Sequence, residues 1–129
     1  MEVRVTEAQL TSLVDRFYGK VREDDVLGPV FGGAISDWPH HLAKMVDFWS
    51  SVMLTTGRYK GNPLMMHLKH VAKIRPDMFG RWLDLWRETA GEVLDEAGAV
   101  AVVAKAERIA ESLQLGMFFK FQPRGSVAA

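Results

Sequence analysis

"YKGNPLMMHLKH", residues 59–70, places a glycine and a proline ahead of large apolar side chains and two histidines three positions apart. A histidine set between Met66 and Leu68 is either a core side chain or a ligand held against something large and apolar. Gly61 and Pro63 set the start of a short helix, expected from Pro63 to about Ala72. Outward from this stretch the apolar residues recur with helical spacing in both directions. No alternating run bounded by turn signals argues for a sheet, so the fold class is all-α, with about four long helices and one short one.

Upstream, Leu10, Leu13, Val14, Phe17, Tyr18 and Val21 follow the i, i+3, i+4, i+7 rule, and Thr6 with Gln9 forms a capping box. That helix is expected to end near Arg22-Glu23-Asp24-Asp25. "VLGPVFGGAI" then reads as a loop holding Phe31, with at most one short turn of helix. The second long helix starts at Ser36 or Asp37, tolerates Pro39 in its first turn and stops near Gly57. Its apolar stripe includes Leu42, Met45, Val46, Phe48, Trp49, Val52 and Met53, with His41, Met45, Phe48 and Val52 along one edge. Downstream, Arg75-Pro76-Asp77 leads into a third long helix carrying Phe79, Trp82, Leu83, Trp86, Ala90, Val93 and Leu94. Residues 96–98 are expected to break it, and a last helix runs from about Ala99 to the Phe118 region, packing Val102, Val103, Ala106, Ile109, Ala110, Leu113 and Met117.

The chain has 129 residues, which fits one domain, 1–129, with about 1–5 and 122–129 expected to be flexible. Sixteen basic and sixteen acidic residues cancel, which argues against nucleic acid and against an anionic membrane surface as partners. The absence of cysteine excludes disulfides, thiolate metal sites and cysteine nucleophiles. The opening residues, with Glu2, Arg4, Glu7, Asp15 and Arg16, lack the apolar core of a signal peptide, and no apolar run reaches membrane-spanning length. A soluble, cytoplasmic protein is the default expectation. Seven Met, seven Phe and four Trp suit either an aromatic core or a wall that conforms to a planar apolar ligand.

Standard enzyme motifs are absent: the chain has no GxSxG, Walker A, HExxH or strand-borne glycine fingerprint, and no Glu-x-x-His for a di-iron bundle. His67 with His70, or Asp37 with His40, has spacing open to zinc, but Asp37 is accounted for as a helix cap. The remaining polar groups sit in apolar stripes: Tyr18, His41 and Trp82, on three different helices. Each has a plain reading as a core group bonded to a nearby carbonyl. One cavity faced by all three, with His67 opposite, is the other reading. A neutral imidazole is the usual axial ligand of haem iron in oxygen-binding proteins, and Phe, Met and Leu suit a porphyrin.

"FYGKVREDDVLGPVF" (17–31), "DWPHHLAKMVDFW" (37–49), "YKGNPLMMH" (59–67) and "FGRWLDLW" (79–86) together resemble the truncated haemoglobins, in particular their third group, over nearly the whole chain. The resemblance implies a shortened globin fold, a two-over-two helical sandwich around haem b. It implies His67 as the iron ligand, with Tyr18, His41 and Trp82 stabilising a ligand on the distal side. Phe17, Phe31, Lys44, Met45, Phe48, Tyr59, Met66 and Phe79 complete the expected cofactor contacts, Lys44 toward a propionate, and His70 is a rim residue.

The expected function is the binding of dioxygen and other small ligands such as nitric oxide, peroxide or cyanide. Peroxidase-like or nitric-oxide-detoxifying activity is the enzyme alternative, with an electron-donating reductase as a partner. A haem-free helical interaction module is the third class. A monomer or weak dimer is expected.

Overall fold

The structure, a computed structural model, describes residues 4–119. Its long helices are α1 (Glu7–Glu23), α3 (Trp38–Leu54), α5 (Pro76–Val93) and α6 (Glu96–Phe118), with shorter α2 (Leu27–Ala34) and α4 (Pro63–Leu68) between them. Among the described residues there is no strand. The first boundary forms as the sequence dictates. Thr6 accepts from the Gln9 backbone at 3.1 Å and its own N–H donates to Gln9 Oε1 at 2.9 Å. The buried face of α1 is Leu10, Leu13, Val14, Phe17, Tyr18 and Val21, the stripe read from the periodicity.

Three boundaries differ from the sequence reading. "LGPVFGGA" is a helix of 8 residues, not a loop. Pro29 falls in its first turn, where a missing N–H costs no intrahelical bond. Asp24 supplies the cap that composition conceals: its Oδ2 accepts from Leu27 N at 2.9 Å and Val26 N at 3.1 Å. Gly28 is required by close approach, since a Cβ there would lie 2.8 Å from the Arg22 carbonyl oxygen.

Helix α4 ends at Leu68 rather than near Ala72, and a 3₁₀ turn, Val71–Lys73, follows. The break before α6 falls at Leu94 and Asp95 rather than across 96–98, because Asp95 Oδ1 accepts from Gly98 N at 2.7 Å and starts the helix at Glu96.

The long helices form two pairs, α1 with α3 and α5 with α6, joined through α1 on α5. Helix α4 leans on α6, and α2 bridges α1 and α5. At the crossing Trp86 is fully buried, stacked on Trp49 at 4.4 Å and parallel to Trp82 at 6.0 Å, with Phe17 edge-on at 4.9 Å. Trp86 Nε1 donates to the Val102 carbonyl at 3.3 Å, so the core indole has a partner. Val5 is also buried; residues 1–3 and 122–129, expected to be flexible, lie outside the described residues.

A hydroxyl cluster shapes the 55–62 connection. Ser50 Oγ and Thr56 Oγ1 are 2.9 Å apart, and Ser51 Oγ accepts from Tyr59 N at 3.0 Å. The Tyr59 ring therefore packs edge-on against Phe48 at 5.1 Å. No helix among the described residues is long and apolar enough to cross a membrane.

Candidate functional site

A mainly apolar cavity of about 380 Å³ lies between the helix pairs, within the range of small-molecule and cofactor sites. Every helix contributes to it. Tyr18 comes from α1, Phe31 from α2, and His41, Lys44, Met45 and Phe48 from α3. Tyr59 and then Met66 and His67 of α4 form another wall, and Phe79 and Trp82 of α5 complete the residues singled out in the sequence. The arrangement brings His67, Tyr18, His41 and Trp82 around one space.

Phe17, expected on this wall, stands behind it. It is fully buried and meets Trp82 edge-on at 5.7 Å. Its ring is turned into the crossing of the helix pairs, edge-on to Trp86 at 4.9 Å, while Tyr18 lines the cavity. His40 and His70 also line the opening, His40 as an exposed first-turn residue.

His67 is oriented by its own helix. Asn62 caps α4 by accepting from Met65 N at 3.2 Å, Pro63 opens it, and His67 Nδ1 lies 2.7 Å from the Pro63 carbonyl oxygen. A carbonyl oxygen only accepts, so Nδ1 carries the proton and, in the neutral ring, Nε2 keeps its lone pair. Phe79 lies alongside, nearly parallel at 28° with ring centres 6.4 Å apart. A carbonyl partner on one ring nitrogen is the second-sphere contact that metal-ligating imidazoles commonly have. Among the described residues no group of three or more His, Cys, Asp or Glu could hold a metal ion. A metal bound at His67 must therefore bring its other ligands with it, as a porphyrin does.

Across the cavity, the Tyr18 ring is edge-on to His41 at 5.1 Å, and Trp38 flanks His41 at 5.7 Å. Burial pushes the Tyr18 phenol well above its ordinary range, so it stays protonated and can donate. His41 is held below the usual histidine value, first by burial and then by the Lys44 and His40 charges. Its Nε2 is buried without a hydrogen-bond partner. A buried polar atom left unpaired is uncommon and fits a site that awaits a ligand.

Sequence reasoning missed the apolar contributions of Val30 and Ile35 on the α2 side, Met78 at the start of α5, and Ile109 and Leu113 of α6. The α6 residues carried a signal, since their spacing marked a packing face, but periodicity does not say whether that face meets side chains or a cavity. The α2 residues carried none once that segment was read as a loop.

No family model matches the chain. A curated relative does: the chain is 33% identical over 121 residues to the group 3 truncated hemoglobin ctb of Campylobacter jejuni, covering 91% of this chain and 94% of that protein. The crystal structure of a group III truncated hemoglobin from Campylobacter jejuni superposes with a TM-score of 0.83 at 32% identity, covering 95% of this chain and 99% of that one.

Proposed function

The chain belongs to the truncated haemoglobin family, in its third group, and from that premise we propose that it binds haem and, through it, dioxygen and other small ligands reversibly. The observation that carries the reading is the 2.7 Å contact between His67 Nδ1 and the Pro63 carbonyl, which fixes the tautomer that leaves Nε2 free to ligate. Haem bound in the cavity would supply an iron centre with one open position for a small ligand. With no cysteine the chain can form no thioether links, which excludes c-type attachment and is consistent with noncovalent haem b.

The remaining steps belong to the protein. His67 holds the cofactor from one side while Phe79 limits the rotation of its imidazole. On the other side Tyr18 presents a protonated hydroxyl, and among the described residues that hydroxyl has no hydrogen-bond partner of its own. Trp82 offers an indole N–H in the same condition, and His41 a buried ring nitrogen. A ligand carrying partial negative charge satisfies the Tyr18 and Trp82 donors, and its departure leaves them unpaired in a low-dielectric site. Oxygen release is therefore slow. Loss of one such bond is worth about 1–3 kcal/mol, or roughly a 5- to 150-fold change in rate. Oxygen dissociation from the ferrous protein, followed by stopped-flow absorbance, should accelerate by about tenfold or more in Tyr18→Phe. An unchanged rate would remove Tyr18 from the account.

A further inference from the structure

Charge is distributed unevenly along a chain whose total is zero. Between Asp47 and Asp77 the charged side chains are Arg58, Lys60, Lys69, Lys73 and Arg75, with no Asp or Glu. Arg58 pairs with Glu7, and Arg75 with Asp77. Lys60, Lys69 and Lys73 make no ion pair among the described residues, and all three are exposed. Each is next in sequence to a residue that lines the cavity: Lys60 to Tyr59, Lys69 to His70, Lys73 to Ile74. Exposed Lys44 borders the cavity itself from α3. Unpaired cations from two separate parts of the fold thus border one concave opening.

The other face of the molecule has the opposite character. There Lys20 is held between Glu88 and Glu92, and Arg81 by Asp24, so the cations are neutralised locally. Lys105 and Arg108 of α6 are exposed and, among the described residues, unpaired as well, so what marks the rim is that four unpaired lysines, Lys44, Lys60, Lys69 and Lys73, border one opening whose described lining holds a single carboxylate, Asp37.

We propose that this rim is the docking surface for an acidic one-electron donor protein, one that reduces the haem iron from ferric to ferrous. The inference rests on the haem reading above. The donor loses one electron, the iron gains it, and no bond is made or broken. Two propionates would neutralise two of the rim cations and leave the others for a partner. Steering by complementary charge raises encounter rates without a large buried area, which suits a transient redox contact. The concave opening accepts a convex protein better than a flat bilayer.

The test uses the haem-loaded full chain and a reduced plant-type ferredoxin, an acidic iron–sulfur protein, as probe. Reduction of the ferric Soret band is followed by stopped flow at low and high salt. Lys69→Glu/Lys73→Glu should slow reduction by about tenfold at low salt and abolish the salt dependence. Arg16→Glu/Arg87→Glu, on α1 and α5 and next to no residue that lines the cavity, should leave it unchanged, and reduced riboflavin should reduce every variant at the same rate. A salt-independent ferredoxin rate, equal in both double variants, overturns the docking surface while leaving the haem reading intact. Protein that takes up no haem overturns both. Capture by phosphatidylglycerol vesicles that is lost in Lys69→Glu/Lys73→Glu, with ferredoxin reduction unaffected, replaces the redox partner by a membrane surface.

Discussion

The ring of Tyr18 meets the imidazole of His41 edge to face, 5.1 Å between centres, and Trp38 meets that imidazole at 5.7 Å while lying 5.9 Å from Tyr18, so the three rings form a cluster. Two helices thereby hold a histidine in place chiefly by ring contacts, with Nε2 left unbonded. The Tyr18 and His41 positions are linked, because displacing either ring removes packing from the other.

His41 gives a pH dependence. Its folded value is lowered from 6.5, mainly by burial, so the unfolded chain binds this proton more readily than the folded one. Stability from this group is complete above pH 6.5 and declines as the pH falls below it. Urea midpoints measured from about pH 8 to about pH 5, spanning the free value, should therefore decline toward the acid end. The decline should be shallower in His41→Leu. Parallel curves for the two proteins would mean that His41 is not responsible.

Asp24 joins three elements. It caps α2 through Val26 N and Leu27 N and pairs with Arg81 of α5, with its side chain only 5% exposed. Desolvation pushes its carboxyl upward, but the Arg81 hydrogen bond and the backbone donors outweigh this and hold it below 3.8. Asp24→Ala should cost about 1–3 kcal/mol, as a lost cap together with a lost partly buried pair. Equilibrium denaturation measures it, and a change within about 0.5 kcal/mol, as at an ordinary surface site, would show that the cap is dispensable.

Trp86 anchors the crossing of the helix pairs. It is fully buried, stacked on Trp49 and bonded to the Val102 carbonyl. Trp86→Ala should destabilise the protein by about 3–5 kcal/mol. Because Trp82 lies parallel to it at 6.0 Å, the cavity wall should loosen as well. Thermal unfolding and haem loss to an apo-globin acceptor read the two effects separately, and loss of stability with unchanged haem retention would uncouple core from wall.

Gly61 lies beneath Tyr59. A Cβ at this position would sit 2.5 Å from the Tyr59 hydroxyl, and the ring is confined by Phe48. Gly61→Ala should cost about 1–3 kcal/mol by overpacking, and Gly61→Ala/Tyr59→Val should recover part of that loss. Equal midpoints for Gly61→Ala and the parent would show that the ring moves freely.

Much of this fold was legible in the sequence, and the failures share a cause. The long helices declared themselves through apolar periodicity and through Thr6 and Asp37, which accept from Gln9 N and His40 N as caps do. Helix α2 did not, because its glycines and proline carry loop propensity while its cap, Asp24, reads as part of a charged run. Tertiary closeness at Gly28 explains one glycine that composition alone treats as a breaker. The junction at Leu94 and Asp95 was misplaced for a similar reason, since Gly98 serves as the donor to a cap. In the site, the one-residue step between Phe17 and Tyr18 decides which ring faces the cavity, and the family resemblance alone assigned both to it. The apolar lining from α6 was visible only as a packing face. An amphipathic stripe looks the same whether it meets a helix or a ligand.

The most direct measurement is a haem titration of the purified protein, read by absorbance and by the ferrous iron–histidine resonance Raman signal. The parent and His70→Ala should each take up one equivalent with a Soret band and a histidine signal. In His67→Ala that signal should vanish and return with added imidazole. No Soret band in the parent, or a histidine signal that survives His67→Ala and is lost in His70→Ala, would contradict it.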